Sequence, residues 1–418
     1  MTTQTFHDHL GPGDDVAGGA QAGALAGVRI LDLSRVLAGP YCTQILADHG
    51  AEVVKVEPPQ GDETRTLGPP FIGDVAAYYQ GLNRNKFGVA LDLSTPQGRD
   101  VALRLMEGAD VVIENFLPGT MEKWGLGYES VLAARFPRLV YCRITGFGST
   151  GPLAGLPGYD AVLQAFCGLM SVNGHADHGA TRLGIPIVDL ATGLSAVSGV
   201  LLALLERQRS GKGQAVECAL FDVALSLLHP HAANWLVSGR TPALSGNAHP
   251  NISPYDKFAG RDGELFLGIL NDAQFARFCK VIGCTALLED PRFMGNASRV
   301  ENRDALRAAI EPALQDWDTG VACEALMRAG VPAARVNAVP DVLQHPHADA
   351  REMRVEMDGY RGVGIPVKLG RTPGRVRRPP PAFGADTRTV LTQAGFTETQ
   401  IQTLIDLGIA PARLRTRR

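Results

Sequence analysis

Residues 28–57 read VRILDLSRVLAGPYCTQILADHGAEVVKVE, and the order of textures inside them decides the fold. A β-branched run (Val28–Leu33) ends in a polar turn, a helix-like segment follows (Pro40–Gly50), and a second β-branched run (Val53–Glu57) closes the stretch. Strand, helix and strand in that order predict parallel strands joined by a crossover helix. The pattern continues through VALDL (89–93), the amphipathic PQGRDVALRLMEGA (96–109), DVVIEN (110–115) and LVYCRI (139–144). Pro96 and Gly108 are the start and stop signals of the middle helix. The expected class is therefore α/β, a domain around a parallel sheet with crossover helices.

The chain's 418 residues exceed what one core usually serves, so a second unit is expected. Composition shifts after Gly239, where Asn, His, Pro and Gly enter (TPALSGNAHPNISPYDKF, 241–258). The expected division is a tail over 1–26, a large domain over 27–220, a linker helix over 221–245 built on DVALSLLHPHAANWLVSG, and a small α+β domain over 246–330. Residues 331–418 would return to the large domain, through the proline-rich RRPPPAFGADT (377–387) and the helical ETQIQTLIDLG (398–408). The glycine- and alanine-rich first 26 residues lack a basic start and a continuous apolar stretch, so they read as a disordered tail and not as a targeting signal. The run Leu190–Leu205 contains Thr192, Ser195 and Ser198 and is shorter than the roughly 20 residues a bilayer needs, which predicts a buried helix of a soluble protein.

A net charge of −3 gives no general attraction to nucleic acid or anionic membrane, and the basic end RLRTRR reads as solvated. The seven cysteines (42, 142, 167, 218, 279, 284, 323) form no C-x-x-C and mostly sit in apolar runs, as reduced thiols of a cytoplasmic protein do. Gly146, Gly148 and Gly151 have G-x-G-x-x-G spacing after a strand. A dinucleotide fingerprint needs its third glycine to open a helix. Pro152, Gly155, Pro157 and Gly158 prevent that, and helical periodicity resumes only at Asp160. No nicotinamide cofactor is expected. The loop is either a long turn or a place where backbone approaches a ligand.

Taken together, the blocks at 28–65, LNRNKFGVALDL (82–93), ADVVIENFLPGTMEKWGLGYE (109–129), GYDAVLQAFCGLM (158–170), VDLATG (188–193) and RQRSGKGQAVECALFD (207–222) resemble the family III CoA-transferases. That family includes formyl-CoA transferase, carnitine CoA-transferase and α-methylacyl-CoA racemase. The resemblance implies a Rossmann-like large domain built from both chain ends, an inserted small domain, and an interlocked homodimer. It implies CoA as a substrate, with no further cofactor and no metal.

By the same resemblance the nucleophile falls on Asp189. Taken alone, an aspartate before a long apolar helix is a helix cap, and the helix N-terminus favours its charged form. CoA contacts fall on Leu37 and Ala38, Leu91 and Ser94, Asn115, Phe116 and Leu117, Lys123, and Gly158, Tyr159 and Asp160. The chain has Pro58 and Pro157 where formyl-CoA transferase has basic residues, so Arg84, Lys86 or Arg143 are the expected phosphate partners. The racemase branch carries its base as a histidine where this chain has Tyr159, and a phenol is a poor base near neutrality. Racemisation is disfavoured on that ground, and a CoA-binding protein without turnover is the other alternative. His229, His231, His345 and His347 flank prolines with no cysteine or carboxylate cluster near, and read as turn or packing residues. The wording of several blocks is similar to the branch using dicarboxylic acids such as hydroxymethylglutarate, which puts Gly246, Asn247 and His249 of GNAHPN at the acceptor's distal carboxylate.

Overall fold

The structure, a computed structural model, describes residues 22–415. The expected tail lies outside the described residues up to position 21, whereas residues 22–26 are part of the fold, the Leu25 amide donating to the His49 carbonyl at 2.9 Å.

The chain forms two compact units. The first takes in residues up to Leu163, Ile185–Ser226 and Pro346 onward. Its centre is a parallel sheet of β1 (Arg29–Asp32), β2 (Glu52–Glu57), β3 (Lys86–Ala90), β4 (Val111–Glu114), β5 (Val140–Thr145) and β6 (Ala215–Ala219), in the spatial order β6-β5-β4-β1-β2-β3. Valines and isoleucines fill its middle strands because a parallel sheet covered on both faces has no solvent side. Crossovers include α1 (Ala38–Asp48), α2 (Pro96–Met106), α3 (Asp160–Phe166) and α4 (Ile187–Ser210). One core joins Leu31, Val56, Val89, Val112 and Tyr141 of the strands to Val101 and Met106 of α2 and to Val390, Leu391, Ile401 and Leu404. Those last four come from helices Thr387–Gln393 and Glu398–Asp406, so the C-terminal segment supplies helices, while every strand of the sheet comes from residues 29–219.

The second unit comprises Gln164–Gly184 and Leu227–His345. An antiparallel sheet of β7 (Tyr255–Gly260), β8 (Gly263–Gly268) and β9 (Ala333–Arg335) packs with α5 (Asp272–Ile282), α6 (Arg303–Gln315) and α7 (Thr319–Arg328) around Phe258, Leu265, Phe275, Phe278, Ile310 and Leu326. It is thus larger than the span 246–330. The first residues of the span 331–418, expected to return to the large domain, instead supply this unit's third strand, paired through Leu267 and Ala333.

Two further expectations are corrected. The linker helix over 221–245 is two short helices, Leu220–Ser226 and His231–Ser238. Pro230 has no amide to donate and its ring crowds the carbonyl four residues back, and the first helix ends before it. Helix α4 is long and apolar enough by composition to cross a membrane, yet only one side of it is covered in this unit. Val188, Ala196, Val200, Ala203 and Leu204 are buried, whereas Leu194, Leu201, Leu202 and Leu205 are exposed.

Candidate active site

In an open parallel sheet, ligands collect where neighbouring strands send their crossovers to opposite sides. Here that point lies between β1 and β4. The chain leaving β1 is held there by side chains. Asp32 accepts from the Ser34 amide and hydroxyl at 3.0 and 2.5 Å, and the Asp62 carboxylate accepts from the Val36 amide at 3.3 Å. Asn115, just past β4, bonds both backbone groups of Arg35, at 2.8 and 2.7 Å. Val36 consequently sits at φ 66°, a conformation costly for a β-branched residue. The result is a fixed turn that delivers Leu37 and Ala38 to the start of α1.

That start lies against α4. A Cβ at Gly193 would stand 2.8 Å from the Ala38 carbonyl oxygen and 3.0 Å from the Tyr41 ring, so the close approach requires glycine. Asp189 is one helical turn before Gly193 on the same face.

Asp189 occupies the first turn of α4 without capping it. The N-cap residue, Pro186, has no side-chain acceptor, and the carboxylate of Asp160 takes that role. Its Oδ2 accepts from the amides of Val188 at 2.7 Å and Asp189 at 3.1 Å. The expected charge-favouring effect of the helix end is outweighed. Burial, and then the Asp160 charge, push the Asp189 carboxyl up to about 7. Tyr78, which sequence reading missed, belongs to the same cluster. Partial burial and then the charges of Asp189, Asp160 and Asp62 raise its phenol to about 12. No motif marks it, because it lies on a four-residue helix, Ala77–Gln80.

The expected CoA residues divide by environment. Asn115 and Phe116 stand at the strand-switch crevice, Phe116 packing edge-on to Trp124 at 5.0 Å, and Leu117 and Tyr159 are exposed beyond them. Leu37 and Ala38 are buried and present backbone only. Gly158 meets Gly146 so closely that a Cβ at 146 would lie 2.8 Å from the Gly158 nitrogen. These two glycines therefore let two stretches of the loop touch, and the helix after them starts at Asp160. The Asp160 side chain faces the helix amides and is not available to a ligand. Ser94 is exposed, its hydroxyl donating to Asp92 at 2.5 Å. Leu91 is a core residue with no exposure, and its amide is taken by Glu57. Its side chain and amide are thus engaged within the core.

The expected phosphate cations already have partners within the chain. Lys86 is fully buried, its ammonium donating to Asp32 (3.2 Å), the Pro40 carbonyl (2.9 Å) and Asn83 (2.9 Å). All three donors are used, and burial lowers it to about 8 despite Asp32. Arg84 is clamped on Asp48 at 2.7 and 2.9 Å and also donates to the Val363 carbonyl. Arg143 faces Glu129 at 3.3 Å and Glu114 at 3.5 Å. Their acidic partners follow from tertiary structure and carry no local signal. Lys123, exposed at the end of the helix Thr120–Lys123, has no ion pair among the described residues. Arg35, at the crevice, lies 5.3 Å over the Phe116 ring and pairs with Glu63 at 3.1 Å.

In the second unit, Gly246 has φ +61° and donates to the Gly174 carbonyl at 2.9 Å, with the His175 imidazole directly beneath it. The His249 amide donates to the Tyr255 carbonyl at 3.0 Å, its Nδ1 accepts from the Asn251 amide at 3.1 Å, and its own carbonyl accepts from Arg303 at 2.8 Å. The GNAHPN segment is thus strapped to its own unit, and Asn247 lies at its bend. Among the described residues no three His, Cys, Asp or Glu side chains group as metal ligands would.

Comparison with known proteins gives the family. Succinate–glutarate CoA-transferase of Agrobacterium fabrum is 41% identical over 381 residues, covering 88% of this chain and 95% of that protein. Succinyl-CoA:glutarate CoA-transferase of mouse is 37% identical over 392 residues, covering 92% and 90%. A CaiB/BaiF family protein from Brucella suis superposes with a TM-score of 0.81 at 40% identity, covering 90% of this chain and all of that one. The pattern of CoA-transferase family III matches residues 25–387, a span that includes all the strands of both units and Asp189. The chain belongs to CoA-transferase family III.

Proposed function

We propose that the protein moves CoA from succinyl-CoA, or a similar dicarboxylyl-CoA, to a second short dicarboxylic acid, with Asp189 as the covalent nucleophile. The observation that carries this is the placement of Asp189: a partly buried carboxylate, on the turn adjoining the fixed Leu37–Ala38 corner, with a pKa near neutrality. The relatives named above support the substrates.

Asp189 attacks the thioester carbonyl, giving a mixed anhydride and CoA thiolate. The thiolate then attacks the aspartyl carbonyl, releasing the donor acid and leaving an aspartyl-CoA thioester. The acceptor carboxylate attacks that thioester, expelling thiolate into a new anhydride, and the thiolate returns to the acceptor's carbonyl. Product acyl-CoA leaves and Asp189 is regenerated. Each step exchanges one activated acyl bond for another, so the protein's work is to hold CoA, exclude water and present donors to the oxyanion. Arg35 and Lys123 are the cations we assign to the CoA phosphates. The GNAHPN loop, through Gly246, Asn247 and His249, remains our assignment for acceptor selection. A racemase reading has no base at Tyr159.

Helix α4's exposed leucines are the surface we assign to a second copy of the chain. All seven cysteines are free thiols, which supports a cytoplasmic location.

The test is incubation with succinyl-CoA followed by hydroxylamine and peptide mapping. The label is expected on residue 189 and absent from Asp189→Ala, and glutarate-like acids are expected to outrun monocarboxylates of equal length. Near-normal transfer by Asp189→Ala would defeat the assignment.

A further inference from the structure

Asp160 performs no acyl step in the mechanism above, yet the residue is buried and its carboxylate is directed at the turn that carries Asp189. Capping alone does not explain an acid here. Asparagine or serine satisfies helix amides about as well as aspartate, and an acid this close to another acid opposes its ionisation.

The titratable groups around Asp189 come from three elements. Asp160 opens α3, Tyr78 comes from the helix Ala77–Gln80, and α1 presents Tyr41 beside Gly193. Among the described residues, burial and then Asp160 act on Asp189, both against the charged form. The nucleophile's charge is therefore held at a cost. That charge disappears when Asp189 becomes an anhydride or thioester, so the repulsion is relieved as the acyl bond forms.

We propose that Asp160 is a positioning residue that fixes the nucleophile's turn through the Val188 and Asp189 amides and, as a second acid beside it, makes the free Asp189 carboxylate more reactive. The inference rests on Asp189 being the nucleophile. In binding terms it is an interaction worse in the ground state than in the transition state, which raises kcat and leaves KM nearly unchanged.

The experiment is Asp160→Asn, which keeps an oxygen for both amides and removes the charge. For the variant we expect kcat to fall several-fold, KM for succinyl-CoA to stay within about twofold, and the acid limb of the pH–rate profile to move down by about one pH unit. A second readout needs no turnover. The difference in Tm between chains with Asp and with Asn at 189 varies with pH, and in the Asp160→Asn background that variation should move to lower pH. A purely structural cap predicts that Asp160→Asn matches the wild type in both profiles while Asp160→Ala alone is impaired, and that outcome overturns the proposal. Transfer surviving in Asp189→Ala would overturn the nucleophile assignment itself, and is distinguishable because it needs no change at 160.

Discussion

The carbonyl oxygen of Ala38 lies against the α-carbon of Gly193, 2.8 Å from where a Cβ would stand. This contact seats the corner after β1 beside the turn of α4 that carries Asp189. Glycine within a helix ordinarily costs up to about 1 kcal/mol relative to alanine, so Gly193→Ala would stabilise a helix free of neighbours. Here the added methyl meets a carbonyl and the Tyr41 ring, and overpacking of that kind costs about 1–3 kcal/mol. The expected result is a lower Tm and a drop in kcat/KM of at least tenfold, about 1.4 kcal/mol in transition-state stabilisation. Thermal melts and steady-state kinetics on the variant decide it.

The pH dependence has a fixed sign. Asp189 acts as a carboxylate and its pKa is about 7, so turnover should fall as pH drops below neutrality. Stability moves the other way. Between the ordinary aspartate value of 3.8 and about 7, the folded chain holds a proton that the unfolded chain has released. That contribution is complete below the lower value and is lost as pH rises through the upper one. Asp189→Asn should therefore gain Tm relative to wild type on going from acid to mildly alkaline buffer. A Tm difference independent of pH would show that Asp189 titrates normally.

Lys86 and Lys123 should fail in different ways. Breaking a buried ion pair by removing one partner typically costs about 3–5 kcal/mol, and Lys86→Ala leaves Asp32 facing only Lys55 and neutral donors in a site closed to water. Loss of soluble folded protein is expected. Lys123→Ala should leave Tm within about a degree, because surface changes are usually small, while raising KM for acyl-CoA and weakening its salt dependence. Equal effects of the two substitutions on KM, with unchanged Tm, would restore Lys86 as a phosphate ligand.

The leucines of α4 make a fourth prediction. Leu194, Leu201 and Leu205 recur at seven and four residues along one side, with Leu202 67% exposed beside them. If a second copy covers this side, Leu202→Asp buries a charge at that interface and shifts sedimentation from dimer to monomer. Wild-type protein sedimenting as a monomer at micromolar concentration would remove the basis for it.

Local pattern was enough for the parallel sheet, which depends on relations within a few residues: β-branched runs beside helical periodicity. Asp189 stood out only through the family resemblance, since an acid ahead of an apolar helix by itself reads as a cap. The ordered blocks carried the family. What local pattern could not supply is the partner of each charge. Lys86 and Arg84 have the composition of ligand-binding cations, and only the packing of β1, α1 and β3 shows Asp32 and Asp48 already holding them. Likewise, the helix end at Asp189 favours a charged acid in isolation. Tertiary structure reverses that by bringing in Asp160, 29 residues away, and burying both acids together. Pairing and desolvation depend on distances through space, so the fold alone decides which charged side chains are structural and which remain reactive.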